Sequence, residues 1–178
     1  HNLEVTLRRI LELADSLAKT GDRDLTQRLD AVIEAQRRLV AAARQVVERI
    51  GSNEDPNAAD QFRSDFRQLA VQQQKILADS QAITKSAQEE LDALKGKKDE
   101  EKTPQDKVRA AQLNNLLYYT NQSSQRLGQA RSQMRRRQAD RSFRRAAAAL
   151  SDLNRARDQL RGPVEVLDVI LADALPLA

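Results

Sequence analysis

Residues 56–95, PNAADQFRSDFRQLAVQQQKILADSQAITKSAQEELDALK, decide the fold. Phe62, Phe66, Leu69, Ile76, Leu77, Ile83, Ala87, Leu91 and Leu94 recur along this stretch at the steps of one helix face, with Gln, Asp, Arg and Lys between them. Its one proline, Pro56, stands at the start, where a missing N–H costs a helix nothing. At 1.5 Å per residue the face runs ~60 Å. The chain is therefore expected to be built of long rods.

Working back toward the start, Gly51, Ser52 and Asn53 read as a helix stop, and Asp55-Pro56 as the next helix start. Before them, from Asp22 to Ile50, lie Leu25, Leu29, Val32, Ile33, Leu39, Val40, Ala43, Val46, Val47 and Ile50. That stripe is wider than the two-position seam of a simple coiled coil, so this helix is expected to touch more than one neighbour. Thr20-Gly21-Asp22 reads as a stop separating it from a first helix that carries Leu3, Leu7, Ile10, Leu11, Ala14, Leu17 and Ala18.

Forward of the opening stretch, residues 95–103 read as an exposed charged loop around KGKKDEEK, with Gly96 as the helix stop. Thr103-Pro104 repeats the cap-plus-proline start, and Leu113, Leu117, Thr120, Ser124, Leu127 and Met134 descend the next rod at heptad-like spacing. A break near Gln138 to Asp140, with Asp140 as a cap, and an unbroken helix through this point both fit the pattern. Gly162-Pro163 is a clearer junction, and residues 163–174 read as a short helix that is apolar on most sides.

Composition agrees with rods. The 178 residues include 5 Gly and 4 Pro, and aromatics are 3% with no Trp, so the core must be Leu, Ile, Val and Ala in thin layers. The expected architecture is all-α: a single domain over 1–178, an elongated antiparallel bundle of three to five long amphipathic helices with coiled-coil-like packing. The apolar residues after Gly162 are interrupted by Glu165, Asp168 and Asp173, which makes a membrane span there very costly. A soluble domain is expected, with the compartment unassigned.

Little here points to chemistry. Without cysteine there is no thiolate metal site, and the one histidine is His1, read as a processed or excised end. Glu-x-x-His pairs of the di-iron bundles are missing, as are a glycine-rich phosphate loop and a serine nucleophile elbow. Glu89, Glu90 and Asp92 read as solvated helix surface rather than an acid–base pair. Tyr118 and Tyr119 read as one surface and one core ring, and Gly128 as either a close-packing position or a tolerated residue. No enzyme, cofactor or metal is expected.

Charge is the uneven property. Residues 1–102 hold 17 Lys and Arg against 19 Asp and Glu, whereas residues 103–178 hold 13 against 7, so the net charges are −2 and +6. Arg131, Arg135, Arg136, Arg137, Arg141, Arg144 and Arg145 form the candidate anion-binding set. The first expectation for the arginines is intramolecular pairing with Asp and Glu of the preceding helices. Phosphate or anionic lipid contact is the alternative, weakened by a lack of interleaved aromatics for base stacking.

The Gln- and Ala-rich segments resemble, in a generic way, scaffold and coiled-coil regions of bacterial proteins, and no stretch carries a family signature. The leading functional expectation is a non-enzymatic protein-interaction or scaffold module, a piece of a larger protein, that meets a protein partner or another copy of itself. Val164, Val166, Val169 and Ile170 are its candidate partner surface. Nucleic-acid or anionic-membrane binding through the arginines is the second expectation, and an extracytoplasmic sensor or spacer domain of a membrane-anchored protein the third.

Overall fold

A computed structural model describes the backbone of residues 2–52 and 58–161 and the side chains of residues 24–52 and 60–161. Within these, four α-helices follow one another: α1 (Asn2–Ser52), α2 (Ala58–Gly96), α3 (Pro104–Arg135) and α4 (Ala139–Asp158). The stop expected at Thr20-Gly21-Asp22 does not occur, because α1 runs through it. One glycine inside a helix costs only about 1 kcal/mol, and good helix formers stand within a turn of this one on both sides, Leu17, Ala18 and Lys19 before it and Arg23 and Leu25 after it.

Cross-helix bonds set the directions. Arg28 meets Ser86 and Arg49 meets Asp65, so α1 and α2 are antiparallel. Glu90 with Arg109 and Lys97 with Asp106 do the same for α2 and α3. Ser123 with Ala149 and Arg126 with Ala148 join α3 to α4, and Arg157 of α4 returns to Asp30 of α1. The result is an up-down-up-down bundle in which α1 and α3, and α2 and α4, lie across the diagonals. The wide stripe of α1 thus serves two neighbours, α2 and α4, as its width predicts.

The core is aliphatic and contiguous. Leu29, Leu39, Ile83, Leu91, Leu113, Leu116, Leu127, Met134 and Leu153 are its largest fully buried apolar side chains, and Ala146, Ala149 and Ala156 present a slender α4. A polar layer crosses the middle. Gln73 donates from Nε2 to Gln36 Oε1 at 2.9 Å, and Gln36 donates from Nε2 to the Ala146 carbonyl at 2.9 Å. This links α2, α1 and α4 at one level. A side chain that finds its partner only in one alignment penalises slippage of the rods, so the layer holds register.

Asp152 is the other buried polar feature. Its carboxylate has no hydrogen-bond donor, although Arg126 Nη1 lies 2.9 Å from Oδ2. Burial pushes this carboxyl above the usual carboxylate range, and the charges of Arg126 and Arg155 oppose that rise.

The junctions differ from one another. Gly96 ends α2 as expected, but the charged loop holds one 3-10 turn, Asp99–Glu101, pinned by Lys102 to Asp99 at 2.7 Å. Thr103 accepts from the Asp106 N–H at 3.1 Å, and Asp106 accepts from the Thr103 N–H at 2.9 Å, closing a capping box ahead of Pro104. Between α3 and α4 the chain does break, at Arg136 to Gln138, and Asp140 does not cap. Asp140 lies in the first turn of α4 and pairs with Arg144.

Gly128 is a tolerated residue: a Cβ added there meets nothing within 4 Å. Tyr118 is exposed and Tyr119 half-buried, stacked edge to face at 5.2 Å. The Asp55-Pro56 start and the short helix expected over 163–174 lie outside the described residues.

Candidate functional site

The acidic residues that the sequence places together, Glu89, Glu90 and Asp92, are each matched by a neighbour. Glu90 is held by Arg109 at 2.7 and 3.2 Å, Asp92 accepts from Gln88 at 2.8 Å, and Glu89 lies 3.8 Å from Lys85. Among the described residues no group of three acidic, histidine or cysteine side chains is close enough to hold a metal ion. No helix of the described residues is long and apolar enough to cross a membrane.

The cations are arranged differently. Pairing with acids of the preceding helices, the first expectation for the arginines of the basic half, is seen for Arg157 with Asp30 and for Arg109 with Glu90, whereas Arg126, Arg144 and Arg161 pair with Asp152, Asp140 and Asp158 of α4. It fails for Arg131, Arg135, Arg136, Arg137, Arg141 and Arg145, which have no carboxylate partner among the described residues. The reason is axial position. These residues surround the α3–α4 turn, where the α2 carboxylates are Asp60 and Asp65. Those are already engaged by Arg63 and Arg49.

Three of the unpaired set converge with residues that the sequence did not single out. Arg131, Arg135 and Arg137 share a cleft of about 490 Å³ with Arg63 and Arg67 of α2. Its floor is Phe66, Ala70 and Met134, all buried, and Val71 stands at its edge, 66% exposed. No carboxylate lines it. Arg63 has only the exposed Asp60 as a partner, at 3.4 Å. Four guanidinium groups therefore face the cleft without a counter-charge, over an apolar base.

The bundle's larger groove, about 700 Å³ between α1 and α2, makes a useful contrast. Its cations include Arg28 and Arg38, and these are tied to Asp24 and Glu34, while Asp79 also lines the groove. With two of its three cations, Arg28 and Arg38, tied to acids and Asp79 lining it beside Lys75, this groove offers less to an anionic ligand than one without a carboxylate.

The turn beside the smaller cleft is strained. The Gln138 N–H donates to the Gln133 carbonyl at 2.9 Å and the Arg137 N–H to the Met134 carbonyl at 2.9 Å, the bond pair of a Schellman motif. That motif places its penultimate residue in the left-handed region, and here the residue is Arg137, at φ 58°. Glycine is usual there because a Cβ costs about 1 kcal/mol or more. The arginine held in that conformation stands at the lip of the arginine cleft.

Arg141, Arg144 and Arg145 lie on the first turns of α4 and Arg136 on the turn itself, all exposed and outside the cleft. Arg63 and Arg67 escaped the sequence reading because they belong to the half of the chain with negative net charge. Their signal was local: they flank Phe66 and Ala70 on the same helix face. Val164, Val166, Val169 and Ile170 lie outside the described residues. Comparison of the chain with protein-family models, curated proteins and solved structures finds no match.

Proposed function

We propose that this chain is a non-enzymatic protein-interaction module that engages a carboxylate-bearing partner at the arginine-rimmed cleft between α2 and α3. One observation carries this reading: Arg67, Arg131, Arg135 and Arg137 surround an apolar floor with no carboxylate among them. Guanidinium groups form bidentate bonds with carboxylates, and a buried apolar floor beneath them favours a ligand with an apolar side as well. An acidic amphipathic helix has both properties and lies naturally in a groove between two helices.

A titration of the full chain with a fluorescent acidic amphipathic peptide tests this. Binding is expected to weaken with salt and to fall roughly tenfold or more when Arg67 and Arg131 are both changed to Glu, since each lost charge-assisted bond contributes about 1.5–3 kcal/mol. Absence of binding at low salt refutes the reading.

A second reading is contact with nucleic acid or an anionic membrane, supported by Arg136, Arg141 and Arg145, which are exposed and unpaired around the α3–α4 turn. Duplex DNA and anionic vesicles in the same titration separate the two. Binding of either that depends on Arg136, Arg141 and Arg145 rather than on the cleft favours the second.

A further inference from the structure

The chain itself contains a ligand with the chemistry that the cleft lacks. Residues 164–174, VEVLDVILADA, carry Glu165, Asp168 and Asp173 with no cation. Read at helical spacing, the three acids fall on one side, while Leu167, Ile170, Leu171 and Ala174 fall on the other. Asp168 stands next to Leu171 and Asp173 next to Ile170 at the two edges of that aliphatic face, with Glu165 opposite it, so the flanking pair complements arginines around Phe66, Ala70 and Met134.

We propose that this segment of one copy docks in the arginine-rimmed cleft of a second copy. The inference rests on the reading of the cleft as a site for a carboxylate-bearing protein partner, and it names that partner.

Geometry directs the segment to another molecule rather than to its own cleft. The cleft lies beside the α3–α4 turn, and α4 runs away from that turn for 20 residues, about 30 Å. Helix α4 also stands diagonal to α2, which supplies half of the cleft. From Arg161 the chain reaches Val164 in ~10 Å at full extension and Ile170 in ~30 Å. An intramolecular path therefore consumes Glu165, Leu167, Asp168 and Ile170 in spanning the distance and brings only the end of the segment, from Leu171, to Phe66 and Met134. A second copy has no such constraint. The interface also joins cations that have no carboxylate partner among the described residues to a segment whose only charges are acidic.

Sedimentation velocity of the full chain, across a concentration series reaching hundreds of micromolar, is the experiment. Reversible self-association is expected, weakening as salt rises. Two double variants reverse the charges: Arg131→Glu with Arg135→Glu in the cleft, and Asp168→Lys with Asp173→Lys in the segment. Each is expected to weaken association roughly tenfold or more by itself. Mixing the two is expected to restore it, because each then offers the other a complementary pair. Arg63→Glu with Arg67→Glu, both on exposed positions of α2, replaces the α3 pair if that one fails to fold, with circular dichroism as the check.

A wild-type chain that stays monomeric throughout overturns the proposal. So does association that is indifferent to either double variant, or a mixture that fails to reassociate. Binding of an unrelated acidic amphipathic peptide to a chain that does not self-associate sinks this inference and leaves the proposed function standing. Failure of both removes both.

Discussion

The two junctions at opposite ends of α3 obey different rules. Between α2 and α3 every local device is in place: Gly96 at the stop, Thr103 and Asp106 in a reciprocal box, and Pro104 at the first helical position. Between α3 and α4 the chain reverses over three residues with an arginine in the left-handed conformation, and Gln138 at the start of α4 makes no side-chain capping bond. The glycine and the left-handed position are even exchanged, since Gly96 sits at a junction that asks for no positive φ. Local propensity writes the first junction, and tertiary packing imposes the second. Natural chains depart from local rules where function asks for it, and the departure here coincides with the unpaired arginines.

The largest expected effect tests whether packing holds the α3–α4 turn. Met134 is fully buried beneath it, and Met134→Ala is expected to destabilise the bundle by about 3 kcal/mol in denaturant unfolding. A loss well under 1 kcal/mol means that the turn holds itself and the comparison breaks.

Next is the strained position. Arg137→Gly is expected to raise stability by about 1 kcal/mol while weakening binding of an acidic peptide, a gain in one property against a loss in the other. A variant that gains stability and keeps full binding severs the strain from the function.

At the other junction, Thr103→Ala is expected to cost about 1 kcal/mol by opening the capping box, measured the same way. Smaller again, Gly96→Ala is expected to raise stability by about half a kcal/mol, because an added Cβ meets nothing within 4 Å, the backbone is not left-handed and alanine has less unfolded-chain entropy to lose.

The contrast extends to pH. The Thr103 N–H, with Lys97 2.9 Å away, holds the Asp106 carboxyl below its ordinary range. Its stabilisation is therefore present above the ordinary carboxylate pKa and is lost as pH falls through the lowered one. Asp152, raised by burial, has the opposite sign: its contribution is present below the ordinary value and is lost as pH rises through the raised one. Asp106→Asn is expected to flatten the acid limb of a plot of stability against pH. Asp152→Asn is expected to remove a decline on the rising side. If both variants shift the plot in the same direction, one assignment is wrong.

Legibility in the sequence followed the range of the interactions. Thr103-Pro104 and Gly96 were readable because a cap is made by residues three apart, and the wide stripe of α1 announced two neighbours by its width alone. Thr20-Gly21-Asp22 misled because a glycine flanked by polar residues has the same local appearance inside a helix as at its end. The break near Gln138 carried no glycine or proline, only Asp140 two residues on, so pattern left it open. Of the seven arginines chosen by density, Arg131, Arg135 and Arg137 meet in one cleft, and Arg63 and Arg67 were passed over. Density along a chain counts charges, whereas a site needs them on facing surfaces without counter-charges.

By itself the sequence determined that this protein is a bundle of long rods with an aliphatic core, because helix periodicity and capping are properties of neighbours within a few residues. Only the tertiary structure decided which cations lack an acid within reach and which helix faces close a cleft around them. It alone set an arginine, not a glycine, in the left-handed turn. Those outcomes depend on the axial register of four antiparallel helices. That register is set by contacts such as Gln36 with Gln73 and Ala146, between residues that lie far apart along the chain.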